Sequence, residues 1–234
     1  LPYIESFPII FMIGVGYLEP PVVTSSLASP ISSFGTSRWI YKSFTVRALS
    51  KAEERRIAKE FSAYILDKSR QYGVAEPLLM HWSHAERTQW SAMTERQNNP
   101  LSVLHPATHE EVCKDLRDAR WFDMLKLFKS EPIVLKGCMG FGLKEVAKTM
   151  LSHGMITTSW DGDSSCTDGT DAMLGAYRAA REAKARGLTM LDMPQIKDIE
   201  RYNEVDCKVL ADIISYLRKN HIAPATFNIA PATI

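Results

Sequence analysis

Apolar residues in the first third of the chain follow the patterns of strands and of one amphipathic helix. The segment 9–17 is rich in Ile, Val and Phe, which predicts a buried strand. Aromatic and β-branched residues alternate over 39–46, which predicts a second strand. A capping-box pattern at Ser50–Glu53 precedes apolar residues at helical spacing, and Gly73 supplies a stop for this helix. The apolar run 77–82 predicts a third strand.

The rest of the chain is dominated by helical spacing. Helices are predicted at about 84–95, 109–129, 142–153, 170–186 and 199–219. A strand-rich beginning, with a helix between two of its strands and more helices after it, predicts an α/β fold with a mixed β-sheet. The serine-rich segment 22–37 is predicted to be a flexible loop. We assign one domain to residues 1–220 and a C-terminal tail to 221–234.

Composition narrows the classes of protein to consider. Lys and Arg number 28 and Asp and Glu number 27, so the chain is not a polycation, although a local basic face remains compatible with this balance. Four scattered cysteines lack the spacing of a zinc site or a disulfide framework. The apolar run 7–18 is too short to span a bilayer and lacks the features of a secretory signal. We therefore expect no membrane association and an intracellular location, cytoplasmic or nuclear.

The best candidate for chemistry is a pair of residues on the last predicted helix. Tyr202 and Asp206 are four positions apart, which places them on one face, one turn from each other. Apolar residues continue along the same side, so the pair lies at the edge of a buried stripe. A phenol and a carboxylate at this spacing could hold a metal ion and orient the water that it activates. The alternative is an ordinary amphipathic helix with an Asp at its boundary.

Four other segments carry charged residues at positions that suggest a site. Glu5 precedes the apolar strand 9–17 and lies where a first strand would end, and Glu86 follows the strand 77–82 at the start of a helix. Asp123 lies inside an apolar segment, and Lys144 begins a helix directly after a glycine-containing turn. A metal-dependent enzyme needs carboxylates that lie close together, and strand ends and helix starts are positions from which they could do so.

In order and spacing, these segments resemble the ribonuclease-H-like superfamily, and most closely its DEDD-type 3′–5′ exonucleases of the predicted RecB-associated and viral branch. Tyr202–Asp206 matches the terminal Tyr-Asn-x-x-Asp helix of that family, and Leu143–Lys144 matches its Leu-Lys helix start, with Gly142 at the usual Ser. Glu86 falls at the second acidic motif and Asp123 at the Asp-Leu segment. The resemblance covers about residues 3–218, and only the terminal motif is specific by itself.

The resemblance implies a ribonuclease-H-like mixed sheet flanked by helices and a 3′–5′ exonuclease acting on DNA or RNA. It implies two Mg²⁺ or Mn²⁺ ions, one activating water and the other stabilising the leaving oxygen. Glu5, Glu86 and Asp206 would be ligands, Glu5 and Asp206 being catalytic together with Tyr202, which would orient the attacking water. Asp123 would be a further ligand or a support for the site, with a buried helix cap or ion pair as the alternative. Implied partners are nucleic acid and replication, repair or processing proteins, including those of viruses.

Substrate contacts are expected from Lys144, Trp82 and His81. Trp82 lies within the second motif and is the best candidate for stacking on a base, although a core position is the alternative for every tryptophan of the chain. One predicted helix also carries a run of basic residues that forms either a solvated face or a set of phosphate contacts: Arg178, Arg181, Lys184 and Arg186.

One position departs from the family pattern. If Glu5 is the Glu of the Asp-x-Glu motif, Tyr3 stands where the family has Asp. A phenol with a pKa of about 10 cannot replace a carboxylate shared between two divalent ions at neutral pH. Three interpretations stay open. The domain has lost catalysis and binds nucleic acid or a protein partner, the sequence is altered or trimmed at this point, or the motif is displaced and a single metal binds.

Overall fold

The computed structural model describes residues 9–19, 37–98, 120–131, 133–160 and 166–221. The mixed α/β class predicted from the sequence is confirmed. None of the helices in these ranges combines the length and apolar composition needed to cross a membrane. The elements are β1 (Met12–Glu19), β2 (Arg38–Thr45), α1 (Lys51–Gln71), β3 (Leu78–His81), α2 (Ala85–Asn98), β4 (Arg120–Asp123), α3 (Met124–Ser130), α4 (Leu143–Ser152), α5 (Gly169–Arg186) and α6 (Pro194–His221).

The strands form two separate pairs within the described ranges, rather than the one mixed sheet that we expected. β1 and β2 are antiparallel along their full lengths. β3 and β4 are parallel, and the last residues of the two strands, His81 and Asp123, lie opposite each other. Because parallel strands end at the same edge, this register brings two polar side chains to one end of the second pair.

The local sequence pattern predicts α1 correctly. The Ser50 side chain accepts a hydrogen bond from the Glu53 amide at 3.2 Å, as an N-cap does. The Glu53 carboxylate does not close the predicted box. It accepts from the Arg47 amide at 2.7 Å and pairs with Arg56. Gly73 follows the end of the helix with a φ of 64°, the left-handed conformation that glycine adopts without strain.

Two helix predictions need correction. The helix expected over 109–129 is wrong over 120–123, where β4 lies, and α3 begins only at Met124. Pairing with β3 determines this strand, and that partner is too distant in sequence for helical spacing to reveal it. The last helix begins at Pro194 instead of 199, and proline suits a first helical turn. Apart from Ser37 and His221, the predicted loop 22–37 and the tail 221–234 lie outside the described residues.

Two apolar clusters form the interior, and α6 belongs to both. The first joins the β1–β2 hairpin, α1, α2 and α5, and includes Ile199 of α6. The second joins α3 and α4 to the later turns of α6, through Val209 and Ile213. The turns of α6 between Ile199 and Val209 therefore lie at the boundary between the clusters.

A fully buried carboxylate ties three elements together. Glu54 of α1 has no exposed surface. It accepts hydrogen bonds from the Ile10 amide at 2.8 Å, from Arg96 Nη2 at 2.8 Å and from Gln97 Nε2 at 2.7 Å. A buried charge is tolerated only when its hydrogen-bonding capacity is satisfied, so Glu54 fixes the chain before β1 and the end of α2 against α1.

Candidate active site

The β1–β2 hairpin sets the rotation of α6 about its own axis. Alternate side chains of a strand point to the same face of a sheet, and three of them on β2 meet polar groups of α6. The contacts are Trp39 Nε1 donating to Glu204 Oε1 at 3.2 Å, Tyr41 Oη donating to Asn203 Oδ1 at 3.0 Å, and Ser43 Oγ donating to the Glu200 carboxylate. With these partners fixed, Tyr202 and Asp206 take defined positions on the rest of the helix surface.

A glycine in β1 permits the close approach of α6. A Cβ atom at Gly14 would lie 1.7 Å from Asn203 Oδ1, far inside any real contact distance. The absence of a side chain therefore lets the amide of Asn203 lie directly against the strand. This is the physical reason for a glycine inside a strand that otherwise disfavours it.

Lys144 and Trp160 complete the surroundings of the Tyr202–Asp206 pair. Asp206 Oδ1 accepts a hydrogen bond from Trp160 Nε1 at 2.8 Å. The ammonium of Lys144, on the first turn of α4, lies 4.8 Å from the ring centre of Tyr202 and 5.5 Å from that of Trp160. It also donates to the carbonyl of Thr167. Attraction to two ring faces holds this charge beside the carboxylate.

The carboxyl of Asp206 is energetically unusual. Burial raises its pKa from 3.8 to about 6, and the bonds from Trp160 and Tyr202, together with the charge of Lys144, offset this only in part. The pKa of the Tyr202 phenol is also raised, first by burial and then by the charge of Asp206. Asp206 is thus mostly ionised at neutral pH, but burial leaves its charge poorly hydrated, which costs free energy. A bound cation would offset this cost.

Glu86 approaches the same region from the start of α2. Its carboxylate lies 3.7 Å from His81 Nδ1, and 53% of its side chain is exposed. Loss of hydration raises its pKa, a backbone amide and His81 offset part of this rise, and the charges of Asp123 and Asp206 add smaller contributions to it. The structure therefore brings Glu86 and Asp206 within each other's electrostatic influence, although they are far apart in sequence.

The turn between β3 and α2 is held in a strained conformation. Ser83 is the only non-glycine residue with a positive φ in the part of the chain that is described, at 80°. Its amide donates to Asp123 Oδ1 at 3.0 Å, and its carbonyl contacts the ring nitrogen Nδ1 of His81. These two contacts hold the turn that delivers Glu86.

Asp123 acts as a cap in this structure. Its Oδ1 atom accepts hydrogen bonds from the amides of Leu125 at 2.9 Å and Lys126 at 3.3 Å, in addition to that of Ser83. Of the two roles considered for Asp123, these bonds favour the structural one, because they stabilise the start of α3 and the strained turn together.

Trp82 and His81 are packed rather than open to a substrate. The Trp82 side chain is only 8% exposed, its ring lies 5.1 Å from that of Phe128, and its indole donates to the Phe141 carbonyl at 2.9 Å. The buried ring of His81 packs edge-on against Trp121 at 5.6 Å. Both contacts favour the core alternative over base stacking in the conformation seen here.

Glu5 and Tyr3 lie outside the described residues, so the first acidic motif stays a prediction. Among the residues that are described, no group of three or more His, Cys, Asp or Glu side chains could hold a metal ion. The visible part of the site contains two acids, Glu86 and Asp206. Trp160 was not anticipated as a partner of Asp206, since no spacing pattern links residues so far apart.

No protein-family model matches this chain, and no curated protein or solved structure matches it either. The resemblance to ribonuclease-H-like exonucleases therefore depends on the order and spacing of the motifs alone.

Proposed function

We propose that this chain is a metal-dependent 3′–5′ exonuclease that hydrolyses phosphodiester bonds of DNA or RNA. The observation that carries the proposal is the grouping of Asp206 with Tyr202 and Lys144, with Glu86 near enough for the charge of Asp206 to raise its pKa. Neither acid has a Lys or Arg ion-pair partner among the described residues. Perturbed carboxylates that lack such partners are typical of functional sites that take a cation.

The donors present suit a hard divalent cation. Carboxylate oxygens are the ligands preferred by Mg²⁺ and Mn²⁺, so Asp206 and Glu86 would hold the metal, with Glu5 as the third carboxylate. Two bound ions would supply activation of the attacking water and stabilisation of the leaving oxygen. The raised pKa of Tyr202 keeps its phenol protonated, so its hydroxyl can hold that water in place. Lys144 would place a positive charge beside the phosphate.

The ribonuclease-H-like arrangement is part of the same proposal. It is supported by an antiparallel hairpin packed on a terminal helix and by a parallel strand pair that ends beside the acids. It also agrees with the position of the terminal Tyr-Asn-x-x-Asp motif on α6, at the boundary of the two apolar clusters.

Cleavage of a 5′-labelled single-stranded 20-mer, as DNA and as RNA, tests the proposal. With Mn²⁺, a ladder of products shortened from the 3′ end is expected. Asp206→Asn and Glu86→Gln should each reduce the rate roughly a thousandfold, because losing a metal ligand removes several kcal/mol of transition-state stabilisation. Asp212→Asn, the same change on the same helix, should cleave like the wild type. Cleavage that survives Asp206→Asn would refute the proposal.

A second candidate is a catalytically silent module that binds nucleic acid or a protein partner, and the observation that favours it is Tyr3 at the position of the family's Asp. Thermal unfolding with and without Mn²⁺ separates the two. The enzyme should gain stability as Mn²⁺ rises, and Asp206→Asn should abolish the gain. The silent module should show no Mn²⁺ effect in either form.

A further inference from the structure

One side of α5 is exposed and combines apolar, aromatic and basic residues. The opposite side is buried through a row of alanines at Ala176, Ala179 and Ala183. At spacings of three, four and seven residues, which share one helix face, the exposed side carries Leu174, Tyr177, Arg178 and Arg181. Leu174 is 50% exposed and Tyr177 is 54% exposed. These four residues are called the α5 outer face below.

The two arginines of the α5 outer face carry uncompensated charge. None of the ion pairs found among the described residues includes Arg178 or Arg181. With Glu182 they line a shallow cavity of about 320 Å³. Glu182 is already engaged, since it pairs with Arg186 at 2.8 Å and accepts from Gln195 at 3.3 Å. The cavity thus presents two guanidinium groups to solvent.

The helix that carries this face begins at the candidate active site. Lys144 donates to the carbonyl of Thr167, and the next residue, Asp168, caps α5 through the amides of Thr170 and Asp171. At 1.5 Å per residue, the α5 outer face starts about 9 Å beyond that cap and extends for about 10 Å. The region around Lys144, Tyr202, Asp206 and Glu86 is called the cleft below. A chain that leaves this region beside Lys144 and runs along α5 would therefore reach the α5 outer face.

We propose that the α5 outer face binds single-stranded nucleic acid outside the cleft, with Tyr177 and Leu174 against bases and Arg178 and Arg181 on phosphates. This inference rests on the proposed nuclease function. Aromatic side chains interleaved with unpaired guanidinium groups are the arrangement that single strands recognise, because unstacked bases expose their faces while the backbone carries charge. Duplexes keep their base faces stacked and would use only the arginines.

Fluorescence anisotropy of a labelled single-stranded 20-mer, as DNA and as RNA, with EDTA present tests the surface directly. The double variant Arg178→Gln/Arg181→Gln should weaken binding about tenfold and flatten the slope of log K against log salt by about 1.4. Tyr177→Ala should weaken it at least about fivefold, whereas Tyr177→Phe keeps the stacking ring and should bind like the wild type. The control Arg218→Gln/Lys219→Gln removes two charges near the far end of α6 and should stay within about twofold of the wild type.

Steady-state cleavage separates failure of this inference from failure of the nuclease proposal. A dinucleotide is too short to reach from the cleft to Arg178 and Arg181, which lie about 15 and 20 Å along α5 from its cap. The double variant should cleave it normally while its KM for the 20-mer rises about tenfold with kcat unchanged. Unchanged binding and an unchanged KM in the double variant would overturn the inference and leave the α5 outer face to a protein partner. This conclusion would hold even if Asp206→Asn loses cleavage, because that variant tests the nuclease proposal. Weakened binding in a chain that cleaves nothing would support the surface and refute the nuclease.

Discussion

The acidic residues on the two sides of α6 have different surroundings. On the side of the hairpin, Glu200 and Glu204 accept hydrogen bonds from side chains of β2. On the side of the cleft, burial raises the pKa of Asp206 to about 6. Burial is also the main cause of the raised pKa of Glu86, and the charge of Asp206 adds to it. The satisfied acids thus define how the helix packs, whereas the perturbed acids retain capacity to bind something else.

Backbone conformation differs between the two sides as well. The hairpin is regular over its full register. The cleft side contains Ser83, whose positive φ is maintained by contacts with Asp123 and His81. Strain that the surroundings impose on a residue beside a candidate site is a feature of functional turns, so the strain and the perturbed acids point to the same region.

Adding one carbon on the hairpin side should have the largest effect on stability. Gly14→Ala places a Cβ atom 1.7 Å from Asn203 Oδ1, so the Asn203 side chain must turn away and lose its bond from Tyr41, or the strand and helix must move apart. We expect a loss of about 3 kcal/mol in the free energy of unfolding, measured by urea denaturation. Gly169→Ala is the control, because nothing lies near its added Cβ, and it should be neutral. Equal stability of both variants would show that the Asn203 amide does not lie against Gly14.

Neutralising the perturbed acid should stabilise the chain when no metal is present. The folded pKa of Asp206 lies near 6 against 3.8 when unfolded, so the folded state binds the extra proton and stability falls as pH rises from about 4 to 6. After allowance for solvent screening, Asp206→Asn should gain about 2 kcal/mol over the wild type at pH 8 in EDTA and nothing at pH 4. Asp212→Asn, the same substitution on the same helix, is the matched control. An Asp206→Asn variant that is less stable at pH 8 would contradict the prediction.

Removing a hydrogen bond on the hairpin side should cost less than filling the gap at Gly14. Tyr41→Phe removes the closer donor to the Asn203 amide oxygen and leaves only the long contact from Cys207 Sγ at 3.9 Å. We expect a loss of about 1.5 kcal/mol, the usual range for a hydrogen bond lost in a partly buried interface. Thermal unfolding measures it, with Tyr177→Phe on the exposed face as the unaffected control. A loss no greater than that of the control would mean that water replaces the tyrosine hydroxyl.

The smallest effect concerns the strained turn on the cleft side. Ser83→Gly should be about 1 kcal/mol more stable than Ser83→Ala, because only glycine adopts a left-handed conformation without steric cost. At Ser91, which is exposed on α2, the order should reverse by about the same amount, since alanine is the better helix former. The same order at both positions would show that Ser83 is not strained.

Local features could be predicted from the sequence because their causes lie within a few residues. The Ser50 cap, the stop at Gly73 and the one-turn separation of Tyr202 and Asp206 follow from helix geometry alone. The strand at 120–123 could not be predicted, because its apolar residues also fit a helix until β3 pairs with them. The bond between Trp160 and Asp206 joins residues 46 positions apart, and no periodicity anticipates it.

The buried carboxylate of Glu54 also affects the cleft, although it binds the end of α2 that is far from Glu86. Arg96 and Gln97, which bind it, are about 15 Å along the helix from Glu86. Separating α2 from α1 would leave the Glu54 carboxylate unpaired in an apolar interior. The two helices must therefore unfold as one cooperative unit. The position of Glu86, in the first turn of α2, therefore depends on the hydrogen bonds that Glu54 accepts at the far end of the same helix.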